Sequence, residues 1–145
     1  MTRYFTKGSK GFRTVAATIA FAATLPQLAA AGVLYECDLN TRIKNGWVSP
    51  KTVFVFDDNG KTTVIDNVIL GFYEKPMPAR VSKRGETLRI TWNIAAARDS
   101  RGQIIPTIRY VATLNQASKK VSIAAKPASA PQRWSAKGAC KTRRK

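Results

Sequence analysis

The chain has 145 residues, with 25 Lys and Arg against 8 Asp and Glu, and its formal net charge at pH 7 is +17. This length fits one small domain, and the positive charge favours anionic partners. The sequence contains no histidine, which excludes an imidazole base and leaves a zinc site with few ligands. We therefore expect no catalytic residues, no cofactor and no metal.

Residues 1–31 have the pattern of an export signal. The chain opens with four basic residues and no acid, namely Arg3, Lys7, Lys10 and Arg13. An Ala-rich apolar segment follows at residues 14–25, and residues 29–31 then provide small side chains for cleavage before Gly32. This pattern predicts Sec-type export to the periplasm or the medium, and a mature chain that begins at residue 32.

A retained membrane anchor is the alternative interpretation of this segment. No charge occurs between Arg13 and Glu36, and an uncharged stretch of this length is nominally sufficient to span a bilayer. Pro26 and Gln27 interrupt the stretch where a spanning helix would need continuity, so cleavage is preferred. After cleavage we expect a monomer without a transmembrane span.

The two cysteines, Cys37 and Cys140, both lie in the mature part. In an oxidising compartment such a pair is expected to form a disulfide bond, which would enclose nearly the whole domain in one loop. The chain-entropy model assigns a loop of this size about 4–5 kcal/mol of stabilisation. Two free thiols or a metal pair are the alternative, which the lack of histidine and of a third cysteine disfavours.

The mature part alternates apolar and polar residues with a period of two, which is typical of β-strands. The hairpin over residues 51–70 is the clearest, because a turn at residues 57–60 separates two strand-forming runs. Strands are predicted at residues 33–40, 53–56, 62–70, 88–95, 104–114, 121–125 and 134–140. No helical period is evident after residue 32. The pattern predicts an all-β domain over residues 32–140, either an antiparallel sandwich, which is slightly preferred, or a small barrel.

Three segments outside these strands are predicted to be irregular. Residues 74–79 form a rigid Pro-containing loop, and residues 126–132 form a linker. Residues 141–145 form a disordered basic tail. Among the tryptophans, Trp92 lies on the apolar face of its strand and is assigned to the core. Trp47 and Trp134 lie beside predicted loops or strand ends and are the better candidates for exposed aromatic residues.

Basic side chains are the candidate binding residues. Four of them surround one predicted connection and two occupy the next, so they could form a single basic rim. The basic tail could contact anionic groups as a flexible polycation. The candidate anion-binding residues are Arg80, Lys83, Arg84, Arg89, Arg98, Arg101, Lys141, Arg143, Arg144 and Lys145. Lipopolysaccharide, an acidic glycan, an anionic lipid or a protein is the expected partner, and specific nucleic-acid binding is not favoured.

The carboxylates offer no clear acid–base pair. Asp57 and Asp58 are adjacent, but they fall in a turn where Asp is expected to bond the backbone. Asp66 and Glu74 could meet in space, although nothing in the sequence links them. Without a histidine, these residues do not predict an enzyme.

The arrangement of the cysteines resembles that of the periplasmic C-type lysozyme inhibitors. Tyr35 and Cys37 stand near the mature start, and Gly138 and Cys140 stand near the end of an all-β body. The resemblance is one of layout and implies a β-barrel or sandwich in a small exported single-disulfide bacterial protein. The Ser-Gly-x-x-Tyr motif of the inhibitory loop is absent, so inhibition does not follow from it.

The sequence thus predicts an exported, non-catalytic binding protein of the cell envelope. The first alternative is a lysozyme-type hydrolase inhibitor, which needs a protruding loop at residues 98–102 or 74–79. The second is a lipocalin-like carrier, which needs a closed barrel with an open apolar interior.

Overall fold

Eight strands and one short helix make up the computed structural model, which describes residues 32–42 and 46–144. The predicted export signal at residues 1–31 and the last tail residue, Lys145, lie outside the described residues. The elements are β1 (Val33–Asn40), β2 (Lys51–Phe56), β3 (Thr62–Asp66), α1 (Asn67–Tyr73), β4 (Met77–Arg84), β5 (Thr87–Ile94), β6 (Ile108–Asn115), β7 (Lys120–Pro127) and β8 (Trp134–Arg144).

The strands form a closed antiparallel barrel in which each strand pairs with the next along the chain. β8 returns to β1, with a register that runs from Val33↔Arg144 to Asn40↔Lys137. A β-sandwich would leave edge strands, whereas this closure leaves none. Of the two architectures that the sequence allowed, the protein therefore adopts the barrel, and the slight preference for a sandwich was wrong.

The predicted disulfide between Cys37 and Cys140 is confirmed. The two residues stand directly opposite each other in the β1–β8 ladder, and both are buried. The bond therefore joins the first strand to the last at the point where the barrel closes.

Aromatic side chains fill the barrel interior, where the inward faces of the strands converge. The rings of Trp92 and Tyr110 stack with centroids 5.0 Å apart, and Phe54 meets Trp92 edge-on at 6.0 Å. Trp92 is only 4% exposed, which confirms its assignment to the core. Aliphatic residues from β5, β6 and β7 surround these rings and are almost fully buried.

The long connections gather at one end of the barrel, because consecutive antiparallel strands reverse direction. This end, here called the long-loop end, carries the β1–β2, β3–β4, β5–β6 and β7–β8 connections. Trp47 stacks on Phe72 of α1 at 6.0 Å and meets Trp134 edge-on at 6.5 Å. The expectation that Trp47 and Trp134 are exposed was wrong, since both are half-buried and pack against the core at the long-loop end.

A helix, α1, begins at Asn67 and so replaces the last part of the strand that was predicted over residues 62–70. β3 ends at Asp66, whose carboxylate accepts a 2.8 Å hydrogen bond from the Ile69 amide and so caps the helix. Ile69 is fully buried and closes the long-loop end of the barrel. A helix of seven residues has too few turns to give a visible period, which is why it was missed.

The last two predicted irregular segments are also partly strand. β7 continues to Pro127, so Lys126 belongs to the sheet rather than to a linker. β8 continues to Arg144, and residues 141–144 pair with β1 instead of forming a disordered tail. The ladder with β1 explains the difference, since backbone pairing holds a polar segment that has no apolar pattern of its own. At residues 74–79, β4 begins at Met77, so that only residues 74–76 lie outside α1 and β4.

Candidate anion-binding surface

The outer wall of the barrel is charged on one side. Strands β4 to β8 contain no Asp or Glu, and each contains at least one Lys or Arg. The acids lie in β1, in the connections or at the end of β3. Because side chains alternate between the two faces of a strand, the cations of β5, β6 and β7 project outward between buried core residues.

Four cations line one depression on this wall, which we call the basic groove: Arg89 on β5, Arg109 on β6, Lys126 on β7 and Arg133 in the β7–β8 connection. The depression measures about 370 Å³, and two adjoining ones share Arg109 with it. Thr113 and Ser122 add hydroxyl groups to the lining, while Val111 and Ala124 form its floor. The groove can therefore offer both charge and hydrogen bonds to an elongated anion.

Arg109 and Lys126 stand directly opposite each other in the β6–β7 ladder. The Cβ atoms of residues at such positions are about 5 Å apart, and like charges on their side chains destabilise the strand pair. Both residues are exposed, and neither belongs to either of the two salt bridges found among the described residues. This juxtaposition of cations is the main electrostatic feature of the groove.

A larger cleft, of about 660 Å³, opens in the barrel wall between β4 and β5. The β4–β5 ladder ends at Arg80↔Thr91, and the preceding residues of β4 pair with β3 alone. If the ladder continued, Pro78 would stand opposite Asn93, and proline has no backbone N–H to donate. The two strands therefore diverge there. We call this opening the β4–β5 cleft.

The far side of the cleft is fixed by Tyr73, the last residue of α1. Its hydroxyl donates to the Ala95 carbonyl at 2.6 Å and accepts from the Ala95 amide at 2.8 Å. Tyr73 thus provides hydrogen-bond partners for the backbone N–H and C=O of Ala95, just beyond β5, where β4 no longer pairs with that strand. Arg80, Arg89 and Arg109 all line the same cleft.

Burial affects the pKa of two groups inside the barrel. It raises the pKa of Asp66 above its ordinary value of 3.8, although hydrogen bonds from the amides of Ile69 and Val68 oppose the shift. The pKa of Tyr110 also rises, first because of burial and second because of the nearby Asp66 charge. Both groups belong to the core and the helix cap rather than to the outer wall.

The structure brings together only some of the predicted anion-binding residues. Arg80 and Arg89 line the β4–β5 cleft, whereas Lys83 and Arg84 lie farther along β4 towards the turn at the opposite end of the barrel. Arg98 and Arg101 lie in the β5–β6 connection at the long-loop end, where the Arg98 guanidinium donates to the Gly102 carbonyl at 2.8 Å. The single basic rim expected from the sequence is therefore not formed.

The tail residues are also separate from the groove. Arg143 forms a salt bridge with Glu36 on β1 at 2.9 Å, and Lys141 stands opposite the same acid in the register. Arg144 pairs with Val33 at the start of β1. These cations lie where β8 meets β1, with part of their charge neutralised locally.

Sequence reasoning missed Arg109, Lys126 and Arg133 as binding residues. Arg109 lay in the predicted strand over residues 104–114, Lys126 lay in the predicted linker, and Arg133 lay between that linker and the last predicted strand. Their proximity depends on the β6–β7 and β7–β8 registers, which the period-two pattern does not specify. The β4–β5 cleft was missed because it depends on α1.

The described part of the chain holds no group of three or more His, Cys, Asp and Glu side chains that could bind a metal ion. Within the same residues, no helix has the length and apolar character needed to cross a bilayer. No protein-family model, curated protein or solved structure matches this chain.

Proposed function

We propose that this chain is an exported, non-catalytic binding protein of the cell envelope, and that the basic groove binds an anionic partner. The polyanions of an envelope, such as lipopolysaccharide and acidic glycans, have the matching charge. Export through a cleaved signal at residues 1–31 is part of the proposal. The disulfide bond between Cys37 and Cys140 supports it, because such bonds persist in oxidising compartments.

The observation that carries the proposal is the facing pair of Arg109 and Lys126. Two cations in direct opposition weaken the sheet unless an anion lies between or above them. Arg89 and Arg133 extend the charge along the groove, and β4 to β8 provide no acid to neutralise it. A multiply charged anion that lies along the groove would contact several cations at once.

The packed interior argues against the carrier alternative. A lipocalin-like carrier needs an open apolar chamber, whereas the rings of Phe54, Trp92 and Tyr110 meet across this barrel. These three side chains are almost completely buried. The proposed binding therefore takes place on the outside of the barrel.

Retention on immobilised heparin, a sulfated glycan, tests the proposal. We expect the double variant R109Q/K126Q to elute at a clearly lower salt concentration than the wild type, because two groove cations are lost. The matched control is K51Q/K61Q, which removes the same charge from β2 and from the residue that precedes β3, on the opposite side of the barrel. Equal losses in both variants would contradict the proposal, since they would indicate attraction to net charge alone.

A hydrolase inhibitor remains the second candidate function, and the β5–β6 connection is the feature that favours it. The Asp99 carboxylate accepts hydrogen bonds from the amides of Arg101 and Gln103, and Arg98 and Ile104 form a β-bridge. Ile104 is 67% exposed on this ordered loop. Rigid loops bind enzyme clefts with little loss of conformational entropy.

Lysozyme activity measured at saturating protein tests this second candidate. Inhibition that is lost in I104D would support it and would locate the inhibitory loop. Full lysozyme activity in the presence of the wild-type protein would eliminate the lysozyme-type inhibitor.

A further inference from the structure

We propose that the β4–β5 cleft is a binding site for a phosphate monoester carried on a saccharide-like polar group, such as a sugar phosphate. This inference rests on the proposed function, since Arg89 and Arg109 line both the cleft and the basic groove. The ligand inferred here is a small molecule rather than a polyanion, and the cleft is a separate site from the groove.

The cleft exists because of local features of the chain rather than loose packing. Pro78 cannot donate to β5, so the ladder stops at Arg80↔Thr91 and the strands separate. Tyr73 then holds the far side open by exchanging two hydrogen bonds with Ala95. Because these contacts fix both walls, the opening is preorganised to receive a ligand.

Asn93 presents backbone groups as well as an amide to the cleft. The N–H and C=O of Ala95 point towards Tyr73, on the β4 side of the strand. Since the backbone groups of alternate strand residues point to the same side, those of Asn93 also face the cleft. They lie beyond the last pair of the β4–β5 ladder. Together with Thr91, they could bind the hydroxyl groups of a sugar.

Three arginines from three different strands line the cleft: Arg80, Arg89 and Arg109. All three are exposed, and their positions on paired strands fix their spacing. A guanidinium group forms two parallel hydrogen bonds to phosphate oxygens, and several such groups together suit a doubly charged phosphate monoester. A neutral sugar would form no ion pair with these guanidinium groups.

Trp92 reports on the cleft from the side of the barrel interior. It lines the cleft but is only 4% exposed, and its enclosed indole N–H has no hydrogen-bond acceptor among the described residues. A ligand in the cleft would act on this group through the side chains that surround it. We therefore expect the indole N–H resonance of Trp92 to respond when the cleft is occupied.

The experiment follows the indole N–H resonances of the purified, disulfide-bonded protein by NMR. The chain has three tryptophans, so W47F and W134F assign the Trp92 signal by elimination. We expect glucose 1-phosphate to shift the Trp92 signal saturably, with a Kd between about 10 μM and 1 mM, and neutral glucose to leave it unchanged. Vesicles that contain phosphatidic acid test the same phosphate monoester on a lipid head group.

Two variants separate this inference from the proposed function. R80Q removes an arginine of the cleft that does not line the groove, and should weaken glucose 1-phosphate binding about tenfold or more. K126Q removes a cation of the groove that does not line the cleft, and should change this affinity by less than about twofold.

Each outcome has a defined meaning. A shift with glucose 1-phosphate that R80Q weakens supports a soluble sugar phosphate as ligand, and a shift with phosphatidic acid vesicles alone supports a lipid-borne phosphate. If neither probe shifts the Trp92 signal, or if K126Q and R80Q weaken binding equally, the inference is overturned. Retention on heparin through the groove would still stand in that case, so the two failures are distinguishable.

Discussion

Gly138 lets β8 approach β1 closely beside the disulfide. It stands opposite Leu39 in the ladder, and a Cβ atom built on it would overlap the carbonyl oxygen of Asp38. A backbone carbonyl in a strand cannot move away as the end of a side chain can. The absence of a side chain at residue 138 is therefore a condition for barrel closure.

We expect G138A to lower the free energy of unfolding by about 1–3 kcal/mol, as overpacking in a rigid site does. Urea denaturation monitored by tryptophan fluorescence measures the change. G71A is the matched control, because nothing lies within 4 Å of a Cβ atom built on Gly71. That helical position should gain about 0.5–1 kcal/mol. Equal stability of G138A and the wild type would contradict the close approach.

Asp66 combines a helix cap with a buried carboxyl group. Its pKa is raised by burial in the folded state, so between the ordinary value and the raised value the unfolded chain loses the proton while the folded chain keeps it. The contribution of Asp66 to stability is thus complete below the ordinary pKa of 3.8 and is lost as pH rises through the raised pKa.

We expect D66N to become more stable relative to the wild type as pH rises, because asparagine still caps α1 but carries no charge. Urea denaturation of both proteins from about pH 3 to about pH 7 gives the difference. D58N, at an exposed turn residue, serves as the control for the loss of an acid. Parallel profiles for D66N and the wild type would show that the burial of Asp66 has no energetic consequence.

At the level of elements, α1 closes the long-loop end of the barrel and connects it to the cleft. Ile69 enters the core, Phe72 stacks on Trp47, and Tyr73 bonds the backbone at Ala95. The helix is capped at its C-terminus by Glu74, which adopts the left-handed conformation with φ of 55°. So short a helix depends on these tertiary contacts rather than on its intrinsic propensity.

We expect Y73F to lower stability by about 1–3 kcal/mol, because two hydrogen bonds to Ala95 are lost at once. Amide hydrogen exchange should accelerate at Ala95 in particular. Y35F, whose hydroxyl accepts one long hydrogen bond of 3.4 Å from Gln116, is the control and should change stability less. An unchanged exchange rate of the Ala95 amide in Y73F would contradict the claim that the Tyr73 hydroxyl holds the backbone at this position.

The strands were largely predictable because burial follows the alternation of residues along them. The predicted strand over residues 33–40 matches β1, and the predicted faces of β5 and β6 match the buried residues. The partner of each strand was not predictable, since a period of two defines faces but not registers. The groove shows the consequence, because Arg109 and Lys126 are distant in sequence and meet only through the β6–β7 register.

At the scale of the whole molecule, the barrel is closed both by backbone pairing and by one covalent bond. The β1–β8 ladder spans all of β1, and the disulfide joins residues separated by 103 positions. Restricting so long a loop reduces the conformational entropy of the unfolded chain. Reduction of the disulfide would leave backbone pairing alone to close the barrel, so the two contributions can be measured separately.

We expect reduction of the disulfide to lower the free energy of unfolding by about 2–5 kcal/mol while the barrel remains folded in the absence of denaturant. Urea denaturation with and without reductant measures the difference, and mass spectrometry should find the oxidised chain lighter by the mass of about two protons. The double variant C37S/C140S should resemble the reduced protein. A reduced chain as stable as the oxidised one would contradict this account.

The charge distribution is the other property of the whole molecule that bears on function. Acids occur in β1, at the end of β3 and in the connections, whereas β4 to β8 contain cations and no acid. We expect such a surface to steer polyanions towards the groove and to bind them with release of their counterions.

The most direct test is the slope of log Kd for heparin against log salt concentration. We predict that R109Q/K126Q reduces the magnitude of the slope by about two, one for each groove cation that contacts the polyanion. K51Q/K61Q should leave the slope unchanged. An unchanged slope in R109Q/K126Q, or the same reduction in both variants, would contradict the claim that the groove is the binding site.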